Sequence, residues 1–78
     1  MLDKLTSREF QVLKLMSMGH SNIQIAKILN ISLHTVKAHV QTILFKFKAK
    51  NRVQAAVIAS KFVDFDLENF YEEKVEKD

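Results

Sequence analysis

A chain of 78 residues has room for one domain with a modest core, since so short a chain buries only about 60% of its unfolded surface. It contains no Cys, which excludes disulfide staples and thiolate metal sites. No apolar run approaches the roughly 20 residues of a membrane span and no signal peptide is visible, so we expect a soluble, cytoplasmic protein. The net charge of +3 and a pI near 9.3 fit a polyanionic partner, although ribosomal and membrane-surface proteins share that property.

The charge is unevenly placed. Residues 1–63 hold ten Lys and Arg against Asp3 and Glu9, a balance of +8. Residues 64–78 hold seven Asp and Glu against Lys74 and Lys77, a balance of −5. A basic domain over 1–63 thus carries an acidic extension over 64–78, and with no Pro and one Gly there is no linker to divide it further.

Met1 to Leu5 is a short lead-in. Thr6 with Glu9 three residues later forms a capping box, which satisfies two otherwise orphaned amides and starts a first helix. Val12, Leu13 and Met16, with Leu15 beside them, supply its buried stripe, and Gly19 ends it. Ser21 opens a second helix, with Gln24 completing another capping box and Ile25, Ile28 and Leu29 as the apolar face. The amides at its N-terminus are a natural phosphate site, to which Ser21 and Asn22 add donors. Asn30 takes the corner, where a left-handed backbone is easiest for Gly and next easiest for Asn. Ile31 plugs the core behind it, Ser32 caps a third helix, and small Ala26 leaves room for that helix to cross. This is the spacing of a DNA-binding helix-turn-helix, over about 20–39.

The third helix is expected over about 33–47. Val36, Val40, Ile43 and Phe47 form one continuous stripe, which must face the core. The opposite side then presents His34, Lys37, Ala38, Gln41 and, further along, Phe45. Lys37 can donate to guanine or phosphate, Gln41 can bond adenine bidentately, and Ala38 can touch a thymine methyl. For an arbitrary helix these residues would merely be a solvated face; the helix-turn-helix spacing upstream reverses the odds. Lys46, Lys48, Lys50 and Arg52 then form a dense basic segment suited to phosphates. Asn51 caps a fourth helix, RVQAAVIASKF, whose small residues at 55, 56 and 59 let another helix approach closely. Leu67, Phe70, Tyr71 and Lys74 have helical spacing, so an added helix is expected over about 66–76. We expect it to dock near Phe10 or the fourth helix; a short solubilising extension is the alternative.

The stretch LTSREFQVLKLMSMGHSNIQIAKILNISLHTVKAHVQTILFKF…NRVQAAV resembles the LuxR-type (FixJ/NarL-type, GerE-like) DNA-binding domain over roughly residues 4–62. Its most specific pieces are Leu5-Thr6 with Arg8-Glu9, Gly19 with Ser21-Asn22, Ile25-Ala26, Ile31-Ser32, Thr35-Val36-Lys37 with His39, and Asn51-Arg52. The resemblance implies an all-α, four-helix domain, here with an added C-terminal helix, that binds double-stranded DNA as a dimer paired through its last helix. It implies base contacts by Lys37, Ala38 and Gln41, beside which we set His34, and phosphate contacts by Thr35, Lys50 and Arg52. With them we group Ser21, Asn22, Ser32 and Lys46. Pairing through the last helix would use Val53, Ala56, Val57 and Ser60, and RNA polymerase is a candidate further partner. The family's domain usually follows a receiver or sensing domain, so the chain reads as a stand-alone regulator or as an output domain.

Departures from the family pattern are Phe10, Ile23 and Gln24, Phe45 and the acidic extension. They support an alternative reading: a helical interaction module that pairs with a related regulator without binding DNA. No enzymatic activity is expected, because Ser7 lacks a base placed to activate it. His20, His34 and His39 gather no carboxylates, so no metal, cofactor or small-molecule ligand is expected. His39 reads as a structural residue under the third helix.

Overall fold

The computed structural model describes residues 4–62, which form four helices: α1 (Ser7–Ser17), α2 (Asn22–Leu29), α3 (Leu33–Phe47) and α4 (Arg52–Phe62). The helix expected over 66–76, and its docking, lie outside the described residues. Each helix begins where a short polar side chain turns back onto the backbone. At α1 the Thr6 hydroxyl oxygen accepts from the Glu9 amide at 3.1 Å, and the Glu9 carboxylate accepts from the Thr6 amide at 3.0 Å. Ser21 and Gln24 repeat the arrangement at α2, with bonds of 2.8 and 3.2 Å. Ser32 accepts from the Thr35 amide to start α3, and Asn51 accepts from the Gln54 amide to start α4.

The first three helices end alike. Gly19, Asn30 and Lys48 all have positive φ, at 91°, 56° and 54°. In each case the next residue's amide reaches back five positions: His20 to Leu15, Ile31 to Ala26, and Ala49 to Leu44, at 2.9–3.1 Å. These bonds, with the shorter ones from Gly19, Asn30 and Lys48 themselves, make a Schellman motif that satisfies carbonyls the helix leaves over. Gly19 and Asn30 suit the left-handed backbone. Lys48 does not, and no feature of the sequence announces it there. A Cβ at Gly19 would meet nothing within 4 Å, so the glycine is required by its backbone angle and not by space.

The core is built from the expected stripes. Val12, Leu13, Leu15 and Met16 of α1 meet Ile25 and Leu29 of α2 and Val36, Val40, Ile43 and Phe47 of α3. Ala55 and Ala59 of α4 are fully buried, because a larger side chain would hold α4 away from the helices it crosses. Phe10 is half-buried on the outside of α1, with the Lys14 ammonium 5.1 Å from its ring centre.

A polar cluster joins distant stretches of the sequence that α1 and α3 bring together. The buried Glu9 carboxylate accepts from Lys46 Nζ at 2.8 Å, and the same ammonium donates to the Lys4 carbonyl at 2.7 Å. The last turn of α3 is thereby pinned to the first turn of α1. Burial by itself raises the Glu9 pKa, but the Lys46 hydrogen bond, the Thr6 amide and the Lys46 charge outweigh it, and the net direction is below the ordinary 4.5. Ionised Glu9 therefore contributes stability that is fully present above pH 4.5 and is lost as pH falls through its folded value.

Lys46→Met is accordingly expected to destabilise the chain by about 2 kcal/mol at neutral pH. The difference from the parent should shrink as pH falls below 4.5 in urea titrations; a pH-independent difference would assign the effect to packing. Lys48→Gly is expected to stabilise by about 1 kcal/mol, by removing the penalty of a side chain in the left-handed region. A loss of stability in the same assay would contradict the αL assignment.

Candidate nucleic-acid interface

Burying one stripe of α3 fixes which residues face out. At about 100° per residue, His34, Lys37, Ala38, Gln41 and Phe45 fall within a stripe roughly 100° wide, opposite Val36, Val40, Ile43 and Phe47. His34, Lys37, Ala38 and Gln41 are exposed, and Phe45 is 83% exposed. His39 is half-buried to one side of that stripe. The outward face thus holds a cation, an amide able to bond a base edge bidentately, and a small residue that permits close approach.

At the start of α3 the Ser32 and Thr35 hydroxyls lie 2.8 Å apart, and Ser32 is occupied as the cap. Beside them a shallow cleft is lined by Ser21, Asn22, Ile23, Leu33, Lys37 and Arg52 among others. Four of the residues singled out in the sequence, Ser21, Asn22, Lys37 and Arg52, therefore meet although up to 31 positions separate them. Arg52 holds the cleft in shape, because its guanidinium donates to Asn22 Oδ1 at 2.6 Å and to the His20 carbonyl at 2.8 Å. This clamp ties the entry of α2 to the first turn of α4. Local sequence gave no sign of it, since neither acceptor is near Arg52 in the chain.

At the other end of α3 a second groove is lined by Lys4, Gln41, Phe45, Lys46, Lys48 and Lys50 among others. Lys48 and Lys50 are exposed. Lys46 is not a bare surface cation: two of its three N–H donors go to Glu9 and the Lys4 carbonyl. Lys4 lines the groove yet carried no weight in the sequence reading, because nothing near residue 4 marks it as a neighbour of α3.

The remaining positions lie on α4. Val53 and Val57 are 70% and 50% exposed, Ala56 is half-buried, and Ser60 is exposed with its hydroxyl donating to the Val57 carbonyl. They line neither of the two grooves that flank α3.

Electrostatics unifies the surface. Residues 4–62 contain ten Lys and Arg and one acidic residue, Glu9, which is 7% exposed and paired. Among the described residues no carboxylate stands on the surface to repel a polyanion. No described helix is long and apolar enough to cross a membrane.

Comparison with known proteins bears on what such a surface is for. The model of the bacterial regulatory proteins of the luxR family (GerE) matches residues 3–59. YhjB of Escherichia coli K12 is 40% identical over 57 residues, 73% of this chain and 28% of that protein. The response regulator protein VraR is 42% identical over 57 residues in both Staphylococcus aureus and Staphylococcus epidermidis, covering 73% of this chain and 27% of theirs. The chain spans about a quarter of the length of these curated relatives. It belongs to the luxR family of bacterial regulatory proteins, as a helix-turn-helix domain of the DNA-binding transcription-regulator class.

Proposed function

We propose that the chain binds double-stranded DNA sequence-specifically with α3 in the major groove. The observation that carries this reading is the exposed stripe of His34, Lys37, Ala38 and Gln41, set on a surface where the one carboxylate of residues 4–62 is buried. In this reading Lys37, Ala38, Gln41 and His34 meet base edges. Ser21, Asn22, Ser32, Thr35 and Lys50 meet phosphates on either side of the groove. Lys46 and Arg52 keep their internal acceptors and turn their remaining donors outward, since an ammonium has three N–H groups and a guanidinium five.

A two-fold partner docks on α4 through Val53, Ala56, Val57 and Ser60, and DNA carrying an inverted repeat brings the pair together. The protein works in the cytoplasm, either alone or as the output domain of a longer regulator, with RNA polymerase as a further partner. The interaction-module reading draws on the exposed Ile23 and Phe45, at 57% and 83%. The absence of surface carboxylates over 4–62 favours the DNA reading instead.

With about six phosphate contacts per dimer, log K is expected to fall with log salt at a slope near −5. Gln41→Ala should cost about 1–3 kcal/mol at one base pair and relax choice there, whereas Lys50→Ala should weaken all duplexes alike. A slope near zero would support the interaction module, and identical behaviour of the two variants would contradict the division of roles.

Val57→Asp is expected to leave the fold intact and abolish joint occupation of the two half-sites, which should lie about 10 base pairs apart. Gel shifts in which Val57→Asp still saturates as a two-protomer complex would exclude α4 as the pairing surface.

A further inference from the structure

We propose that Phe45 is a specificity-determining residue that reads a thymine C5-methyl group; the inference rests on the DNA-binding reading above. Phe45 is 83% exposed, the most exposed large apolar side chain among the described residues. Its place on the helix gives the exposure a direction. It stands one turn beyond Gln41 and within about 40° of it around the axis, between Gln41 and Ala38, so it projects from within the stripe assigned to base edges. A helix that seats Gln41 on a base edge carries Phe45 over the same groove floor, about 6 Å further along.

The chemistry of that floor leaves few partners for a phenyl ring. Base edges in the major groove present hydrogen-bond donors and acceptors, and the apolar group they offer is the thymine methyl. The surroundings of Phe45 point to nucleic acid over a protein surface. Lys48 and Lys50 stand beside it, exposed, in the groove it shares with Gln41. An aromatic ring ringed by cations, with no exposed carboxylate among the described residues, suits a polyanion that displays methyl groups between its phosphates. At roughly 3.4 Å per base step, the thymine lies one to two base pairs from the adenine read by Gln41.

The test uses the full chain and a duplex selected from a random library. Each thymine is replaced singly by deoxyuridine, which keeps pairing and the O4 acceptor and removes only the methyl. At the position read by Phe45 the parent chain should lose about four-fold in affinity per half-site, as expected for one methyl group taken out of water. Phe45→Ser should lose a similar factor on the thymine duplex and be indifferent to deoxyuridine at that position alone. Its thermal unfolding should match the parent, because the ring is exposed. Phe45→Ser binding the selected duplex as tightly as the parent overturns the proposal and turns the ring toward a protein partner. So does the absence of any thymine whose methyl matters to the parent and not to the variant. If Gln41→Ala still discriminates at its base while these results fail, this inference alone falls; if selection yields no sequence, the DNA reading falls with it.

Discussion

Everything at this surface depends on the burial of one side of α3. Val36, Val40, Ile43 and Phe47 are 7% exposed or less, and α1, α2 and α4 all pack against the helix that carries them. A helix gripped from three directions keeps little rotational freedom, because turning it by one residue would expose four large apolar groups. Each costs roughly 1.5–3 kcal/mol when moved into water. The outward stripe is therefore specified by the inward one. A site made in this way needs no stabilisation of its own; it inherits its geometry from the core.

Polar contacts set how far α3 extends and where its ends point. The Ser32 cap and the Asn30 corner fix its start, and the Glu9–Lys46 pair fixes its last turn against α1. The Arg52 clamp does the same for the entry of α2, across the cleft shared with Lys37. A domain this small has a net stability of the order of 5 kcal/mol, so one buried ion pair is a sizeable share of what holds the reading face in place. Its placement has a functional side as well. By burying and pairing Glu9, the fold removes the acidic group of residues 4–62 from the surface, so among the described residues no exposed carboxylate offsets the cations.

The sequence exposed the local rules and hid the non-local ones. Both capping boxes, the Asn30 corner, the Gly19 stop and the bounds of α3 follow from short-range chemistry, in which a side chain bonds to backbone three residues away. The core stripes follow from helical period. The Lys46–Glu9 and Arg52–Asn22 contacts do not, because they join residues 37 and 30 positions apart and arise only after four helices have packed. Lys48 in the left-handed region was equally illegible: the Schellman closure of α3 needs some residue there, and lysine has no preference for it. The stripe of His34, Lys37, Ala38 and Gln41 was legible because finding the buried face of an amphipathic helix also finds the exposed one. The two flanking grooves were not, since Lys4 and Arg52 come to them from opposite ends of the domain.

In the proposed function the outward face of α3 is the surface that meets DNA. Titrating the isotopically labelled chain with a selected duplex, and following backbone and side-chain amide resonances by NMR, tests it most directly. The largest shifts are expected from His34 to Phe45 and around Lys48 and Lys50, with the Gln41 side-chain amide among the most displaced. Shifts confined to the exposed face of α4 or to Ile23, with the α3 resonances unmoved, would contradict it.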